Sequence, residues 1–156
     1  MDSPGDSRLT FRRRRPSDDA VIVQVGKRAF AEYDLRSAET TGHLARTVTT
    51  WVVTRGDQVL GFAMVQVRPP GAELCAIAVA EGERGAGVGA SLLRHVVQQL
   101  EREGVARLSL HTAEANSAAM DLFLKLGFRR DVRLPRYYRG VFDAWVMSLP
   151  LAPARA

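Results

Sequence analysis

The chain is poor in the residues that most often build covalent or metal chemistry. Its 156 residues include one cysteine, Cys75, so no internal disulfide can form. That thiol lies inside an apolar stretch, where a small buried hydrophobe is the simplest reading. The three histidines, His43, His95 and His111, show no paired ligand spacing, and no metal site is expected. Long apolar runs are absent too: none approaches the ~20 residues that cross a bilayer. The polar start, Met1–Ser7, lacks a signal-peptide core. A cytoplasmic protein with no membrane segment follows as the expectation. Neither internal repeats nor linkers appear, so one domain is expected over residues 9–149, between a disordered tail (1–8) and a C-terminal tail (150–156).

Lysine is nearly missing as well. Lys27 and Lys125 are the only two, so the net charge of +5 is carried by arginine. Arginines cluster at Arg12–Arg15 and again at Arg129, Arg130, Arg133, Arg136 and Arg139. A solvated surface is the first reading of these clusters, and a polyanionic cofactor or acidic partner the second. Nucleic acid ranks last, because neither a helix-turn-helix pattern nor an aromatic RNA platform accompanies them.

The periodicities describe an α/β domain. Leu9–Arg13 alternates as a short strand. Pro16-Ser17-Asp18-Asp19 supplies an N-cap and early acids for a helix to about Tyr33. Residues 34–47 fit either a second helix or a loop. Val48–Thr54 and Val59–Val67 are β-rich around a hairpin loop at Arg55–Gln58. Pro69-Pro70-Gly71 then turns into a strand, Glu73–Val79. A helix over Val88–Glu103 places Leu92, Leu93, Val96, Val97 and Leu100 on one face and ends at Gly104. Arg107–Thr112 is a fifth strand, Asn116 caps a shorter helix ending at Gly127, and further strands start at Phe128 and span Ala144–Leu149. The front half is antiparallel and the centre is a β-α-β unit.

The most informative segment joins the central strand to its helix: Arg84-Gly85-Ala86-Gly87-Val88-Gly89. Glycines let the backbone approach a ligand and take φ > 0. The following helix contributes unpaired N–H groups and the positive end of its dipole. Together they form an anion site whose usual occupant is a phosphate or pyrophosphate. The plainer alternative is a tight turn.

This order of elements resembles the GCN5-related N-acetyltransferase (GNAT) superfamily from Leu9 to Leu149. Arg84, Gly87 and Gly89 match its Arg/Gln-x-x-Gly-x-Gly/Ala signature. Asn116 through Leu126-Gly127-Phe128 matches a second signature, an asparagine opening a helix that ends in Leu-Gly-Phe. The resemblance implies a mixed, mostly antiparallel sheet and acetyl-CoA as co-substrate. Its pantetheine arm would pair along Ile77, Ala78 and Val79, and the amides of Arg84, Gly85, Ala86, Gly87, Val88, Gly89 and Ala90 would hold its pyrophosphate. Asn116 would contact the arm or an ordered water, although a helix cap explains that residue equally well. One departure matters. Many members carry a tyrosine that protonates the departing thiolate, where this chain has Phe123, which can only pack against the thioester end.

The resemblance also implies an acceptor end. Glu73 and His111 occupy strand positions at which similar protein N-terminal acetyltransferases place a general base. Arg136-Tyr137-Tyr138-Arg139, followed by Asp143-Ala144, resembles the end of ribosomal-protein N-acetyltransferases, in which a tyrosine pair lies on a loop over the peptide groove. The expected acceptor is therefore a protein or peptide N-terminus, with a small-molecule amine as competitor. The arginines beside Tyr137 lean toward a neutral or acidic peptide. A homodimer stays open. A dinucleotide-binding domain is disfavoured, since Ala80–Arg84 separates strand from glycines and no second βαβαβ half fits. A non-catalytic acyl-CoA sensor is the other rival.

These readings predict a thermal shift with acetyl-CoA and with CoA, and none with NADH. At one hundred times Kd, a ligand that binds only the folded state contributes about 2.7 kcal/mol. No shift with either CoA species would reduce the glycine segment to a turn.

Overall fold

The computed structural model describes residues 8–31 and 38–152. Seven strands form one sheet: β1 (Leu9–Arg13), β2 (Thr49–Arg55), β3 (Gln58–Arg68), β4 (Gly71–Val79), β5 (Arg107–Ala113), β6 (Arg129–Tyr138) and β7 (Phe142–Pro150). Their spatial order is β1-β2-β3-β4-β5-β7-β6, and only β4 and β5 run parallel. The crossover between those two is helix α3 (Val88–Arg102). Helices α1 (Asp19–Phe30), α2 (Ala38–Thr47) and α4 (Ser117–Lys125) complete the domain.

The helices divide between the two faces of the sheet. Leu92, Leu93, Val96 and Leu100 of α3 and Met120 and Phe123 of α4 pack on Leu60, Val65, Leu74, Leu108 and Leu110. On the opposite face, Ile22 and Val25 of α1 and Ala45 of α2 cover Val52, Phe62, Met64, Ala76 and Ala78. Each fully buried leucine or isoleucine contributes about 1.5–3 kcal/mol. α1 and α2 pack on β2, β3 and β4. On that face β5, β7 and β6 present the half-exposed Ser109 and the more open His111 and Val132.

Several boundaries differ from the sequence expectation for identifiable reasons. The first helix stops at Phe30, and Tyr33 lies outside the described residues. The 34–47 alternative resolves, over the described part, to helix α2 from Ala38. The hairpin is tighter than expected: Arg55 pairs with Gln58, leaving Gly56 (φ 59°) and Asp57 as a two-residue turn. Tyr137 and Tyr138 lie within β6 rather than on a separate loop. Beyond β7, the buried Leu151 donates its N–H to the Ala106 carbonyl at 2.9 Å, so the chain stays docked past Leu149.

The first arginine cluster is divided: Arg13 and Arg15 are exposed as expected of a solvated surface, whereas Arg12 and Arg14 are partly buried in ion pairs. Arg12 grips the buried Asp18 with two hydrogen bonds, 2.7 and 2.9 Å, and the Arg15 N–H donates to the same carboxylate at 2.7 Å. The Arg12 bonds hold that carboxyl below its ordinary value against the opposing effect of burial. Arg14 pairs with Asp19 at 2.8 Å, and Arg13 lies over the Trp51 ring.

One irregularity shapes the centre of the sheet. Met64 pairs with Ala76 and Val65 with Leu74, so Cys75 is an extra residue, a β-bulge. Ala72 and Leu74 face α3, whereas Ala76 and Ala78 face α1 and α2. Cys75 is therefore only half-buried, contrary to the expectation of a fully buried hydrophobe, and its thiol points to the Glu73 carbonyl at 3.7 Å. Beyond the bulge, Gly61 of β3 lies opposite Val79. A Cβ at Gly61 would sit 2.6 Å from the Ala78 oxygen and 3.2 Å from Val79 Cα. Gly61→Ala is expected to lower stability in urea by about 1–3 kcal/mol, the usual cost of overpacking. Gly71→Ala is the tolerated control, because a Cβ there has its nearest neighbour at 3.5 Å.

Candidate active site

The site starts where strand pairing stops. β4 and β5 are in register from Gly71↔Arg107 to Leu74↔Leu110 and then separate. β4 continues to Val79 on the arm of β3, and β5 continues to Ala113 on the arm of β7. The wedge between them exposes the β5-side edge of Ile77, Ala78 and Val79. An extended ligand carrying amides could continue the ladder there.

At the mouth of the wedge the chain makes a 3-10 turn (Glu81–Glu83) and enters the glycine segment. Glu83 is anchored to Arg55 at 2.9 Å, which ties the turn to the β2–β3 hairpin. Gly85 (φ 84°) and Gly87 (φ 79°) are both left-handed, and a Cβ at either would meet no atom within 4 Å. Ala86, on the surface between them, and the exposed Arg84 complete the loop. Gly87 occupies the N-cap of α3 with no side chain over the helix end. The amides of Val88, Gly89 and Ala90 thus open a 15-residue helix that no side chain caps, the arrangement that favours an anion. α4 closes the far wall: a Cβ at Gly89 would lie 3.5 Å from Val79 and 3.7 Å from Leu122.

On the other face, four residues named from the sequence come together. His111 Nδ1 lies 3.9 Å from Glu73 Oε1, and both side chains are partly exposed, 35% and 40%. The separation exceeds a hydrogen bond, but one nitrogen can sit within about 2.9 Å of both. The Tyr137 ring stacks on His111 at 5.2 Å and 12°, and Tyr138 meets Tyr137 edge-on at 4.9 Å. Glu73 precedes the bulge and His111 follows the last β4–β5 pair, so both flank the start of the wedge.

Two expected cofactor contacts have structural roles. Asn116 caps α4, its side-chain oxygen accepting the Ala119 N–H at 3.2 Å. Phe123 is 4% exposed in the core, tilted against Phe128 at 5.6 Å, and Leu122 is the α4 side chain nearer the glycine segment. A cleft of about 600 Å³ between α1 and the β2–β3 turn reaches the loop at Glu81 and Arg84. It contains neither Glu73 nor His111 and so lies apart from this cluster. No cluster that could hold a metal ion occurs among the described residues.

The profile of the acetyltransferase (GNAT) family matches residues 18–128. The chain belongs to that family. It is 36% identical over 103 residues to the ribosomal protein bS18-alanine N-acetyltransferase of Escherichia coli K12, covering 64% of this chain and 70% of the relative. The crystal structure of the ribosomal-protein-S18-alanine N-acetyltransferase from Escherichia coli superposes with a TM-score of 0.82 at 28% identity, over 95% of this chain and 97% of that one. The mycothiol acetyltransferase of Kocuria rhizophila is 32% identical over 130 residues, 72% of this chain and 43% of its own length.

As a GNAT acetyltransferase, the protein has features that its sequence left unmarked. The Cys75 bulge, the close approach at Gly61 and a carboxylate network around Asp143 arise from pairing between distant strands. In that network Arg133 is held by Glu114 (2.9 Å) and Asp143 (2.6 Å); separately, Arg129 is held by Asp131 (3.2 Å). Arg129 and Arg133 are thus engaged within the protein, whereas Arg136 and Arg139 are the arginines that flank Tyr137. Gly87→Asp would place a carboxylate at the uncapped start of α3. It is expected to weaken acetyl-CoA binding about a hundredfold by calorimetry, while the left-handed backbone costs only about 1–2 kcal/mol of stability.

Proposed function

We propose that this acetyltransferase transfers the acetyl group of acetyl-CoA to the α-amine of a protein or peptide N-terminus. The observation that carries the reading is the convergence of Glu73, His111 and Tyr137 on the open half of the sheet, beside the wedge. Acetyl-CoA supplies an activated thioester. The edge of Ile77, Ala78 and Val79 aligns its amide-bearing arm, and the Arg84–Ala90 amides hold its pyrophosphate. The Val79 N–H is the candidate oxyanion donor. Tyr137 and Tyr138 offer apolar ring faces and hydroxyls to an acceptor backbone.

The acceptor must attack as a neutral amine. With a reference pKa near 8, about a quarter of an α-amine is neutral at pH 7.5, against about one in a thousand for a lysine near 10.4. The neutral nitrogen forms the C–N bond, the C–S bond breaks to release CoA as its thiolate, and the proton the nitrogen then carries passes to Glu73 or His111, directly or through a bridging water. The similarity to the bS18-alanine N-acetyltransferase supports an α-amine acceptor. A second reading, a small-molecule amine, is supported by the likeness to mycothiol acetyltransferase.

Thiol release measured across an amine panel separates the two. Short peptides with a free N-terminus are expected to outrun their Nα-blocked, lysine-bearing counterparts and small amines. Preference for a small amine would replace the peptide reading. His111→Ala and Glu73→Gln should each lower kcat, the more important base by about 10²–10⁴-fold, with acetyl-CoA affinity nearly unchanged. If turnover survives in the double variant, neither residue is the base.

A further inference from the structure

The tyrosine pair reaches His111 through an irregular piece of backbone. β6 and β7 are in register at Leu134↔Ala144 and again at Tyr138↔Phe142. Between these pairs, Pro135, Arg136 and Tyr137 stand opposite the single residue Asp143. Proline brings no N–H to this bulge, and Arg136 is left-handed (φ 49°), a conformation that a residue with a Cβ disfavours. Local preference would not hold the backbone there.

Asp143 meets this bulge at several points. Its Oδ1 accepts the Arg136 backbone N–H at 2.9 Å, and its Oδ2 accepts the Arg133 guanidinium at 2.6 Å. Its own carbonyl accepts the Glu114 N–H at 2.9 Å, at the end of β5. Glu114 completes the frame by accepting from Arg133 at 2.9 Å and from the Trp145 indole at 3.3 Å. One residue therefore holds the left-handed residue of β6 with its carboxylate and the end of the strand that carries His111 with its backbone carbonyl. The next residue after that tether, Tyr137, is half-exposed yet stacked on the His111 ring.

We propose that Asp143 is a positioning residue: its Oδ1 tethers the Arg136 N–H and so sets Tyr137 on His111 for acceptor binding. The inference rests on the reading of Tyr137 and His111 as the acceptor end. Asp143 itself is not placed against the substrate. A charge-assisted bond to a backbone N–H is stronger than a neutral one, and the carboxylate has the geometry to counter the unfavourable φ of Arg136.

The test compares Asp143→Ala with Asp143→Asn, because asparagine keeps an oxygen for the Arg136 N–H. Two readouts are needed. The first is the NMR position of the His111 ring protons, assigned by their loss in His111→Gln, since a stacked tyrosine moves them upfield. The second is the KM for acceptor against the KM for acetyl-CoA. In Asp143→Ala the ring protons should move downfield to where Tyr137→Leu puts them. Acceptor KM should rise about tenfold, with acetyl-CoA KM within about twofold. Asp143→Asn should retain the upfield position and most of the acceptor affinity.

Unmoved His111 protons in Asp143→Ala would overturn the tether whatever the acceptor proves to be. Moved protons with an unchanged acceptor KM would overturn the positioning role. If Asp143→Asn behaves like Asp143→Ala, the charge on Arg133 rather than the Arg136 N–H is decisive, and the proposal fails. A wild-type enzyme that acetylates no peptide would instead sink the acceptor reading, with the NMR comparison still deciding the tether.

Discussion

Parallel strands share hydrogen bonds only while they stay side by side, and β4 and β5 stop doing so at Leu74↔Leu110. A buried backbone group without a partner costs about 1–3 kcal/mol, so a sheet does not open at its centre without reason. Here the opening is held from both sides. β3 keeps β4 to Val79, with Gly61 permitting the close approach, and β7 keeps β5 to Ala113. The bulge at Cys75 reverses which side chains face α3, so the strand that leaves the wedge is not the continuation in phase of the strand that enters it. The glycine segment, the start of α3 and the Glu73–His111 pair are placed by this separation. Remove it, and the glycine segment would face a continuous sheet with no opening toward the Glu73–His111 pair.

How much of this was legible depends on whether a feature is local. Glycine spacing, the 3.6-residue face of α3 and the Asn116 cap are written in neighbouring residues, and the corresponding turn and helices formed where expected. The bulge was invisible. Leu74-Cys75-Ala76-Ile77-Ala78-Val79 is apolar at every position, so a one-residue slip leaves no break in its alternation. Glu73, His111 and Tyr137 could each be named by motif position, but their proximity is a product of pairing across β4, β5, β7 and β6. Of the segment 34–47, which fits either a helix or a loop by sequence, residues 34–37 lie outside the described residues.

Charge was the least readable feature. An arginine count describes what the chain carries and says nothing of what each guanidinium already holds. Arg12 and Arg14 hold the aspartates at the start of α1, and Arg129 and Arg107 converge on Asp131. Asp131 in turn accepts from the fully buried Ser148 at 2.6 Å, a bond that is the main cause of its lowered pKa. The bidentate geometry of arginine suits these forks, and a lysine would serve them less well. The scarcity of lysine is in keeping with cations used as joints between strands and helices. Glu73, by contrast, has as its one ion-pair contact among the described residues the long one to His111.

Phe123 gains a physical account from the same structure. A tyrosine hydroxyl there would be useful only if it reached the departing sulfur, yet this ring lies in the core against Phe128. The need for such a donor can be weighed against the other proton in the reaction. A thiol with a pKa near 8.5 leaves as a tolerable thiolate at neutral pH. The amine nitrogen, once bonded to the carbonyl, carries a proton that must go before the product amide is stable. Losing the acid therefore costs less than losing the base. That asymmetry fits a site with a carboxylate and an imidazole at the acceptor end and an apolar ring in the core.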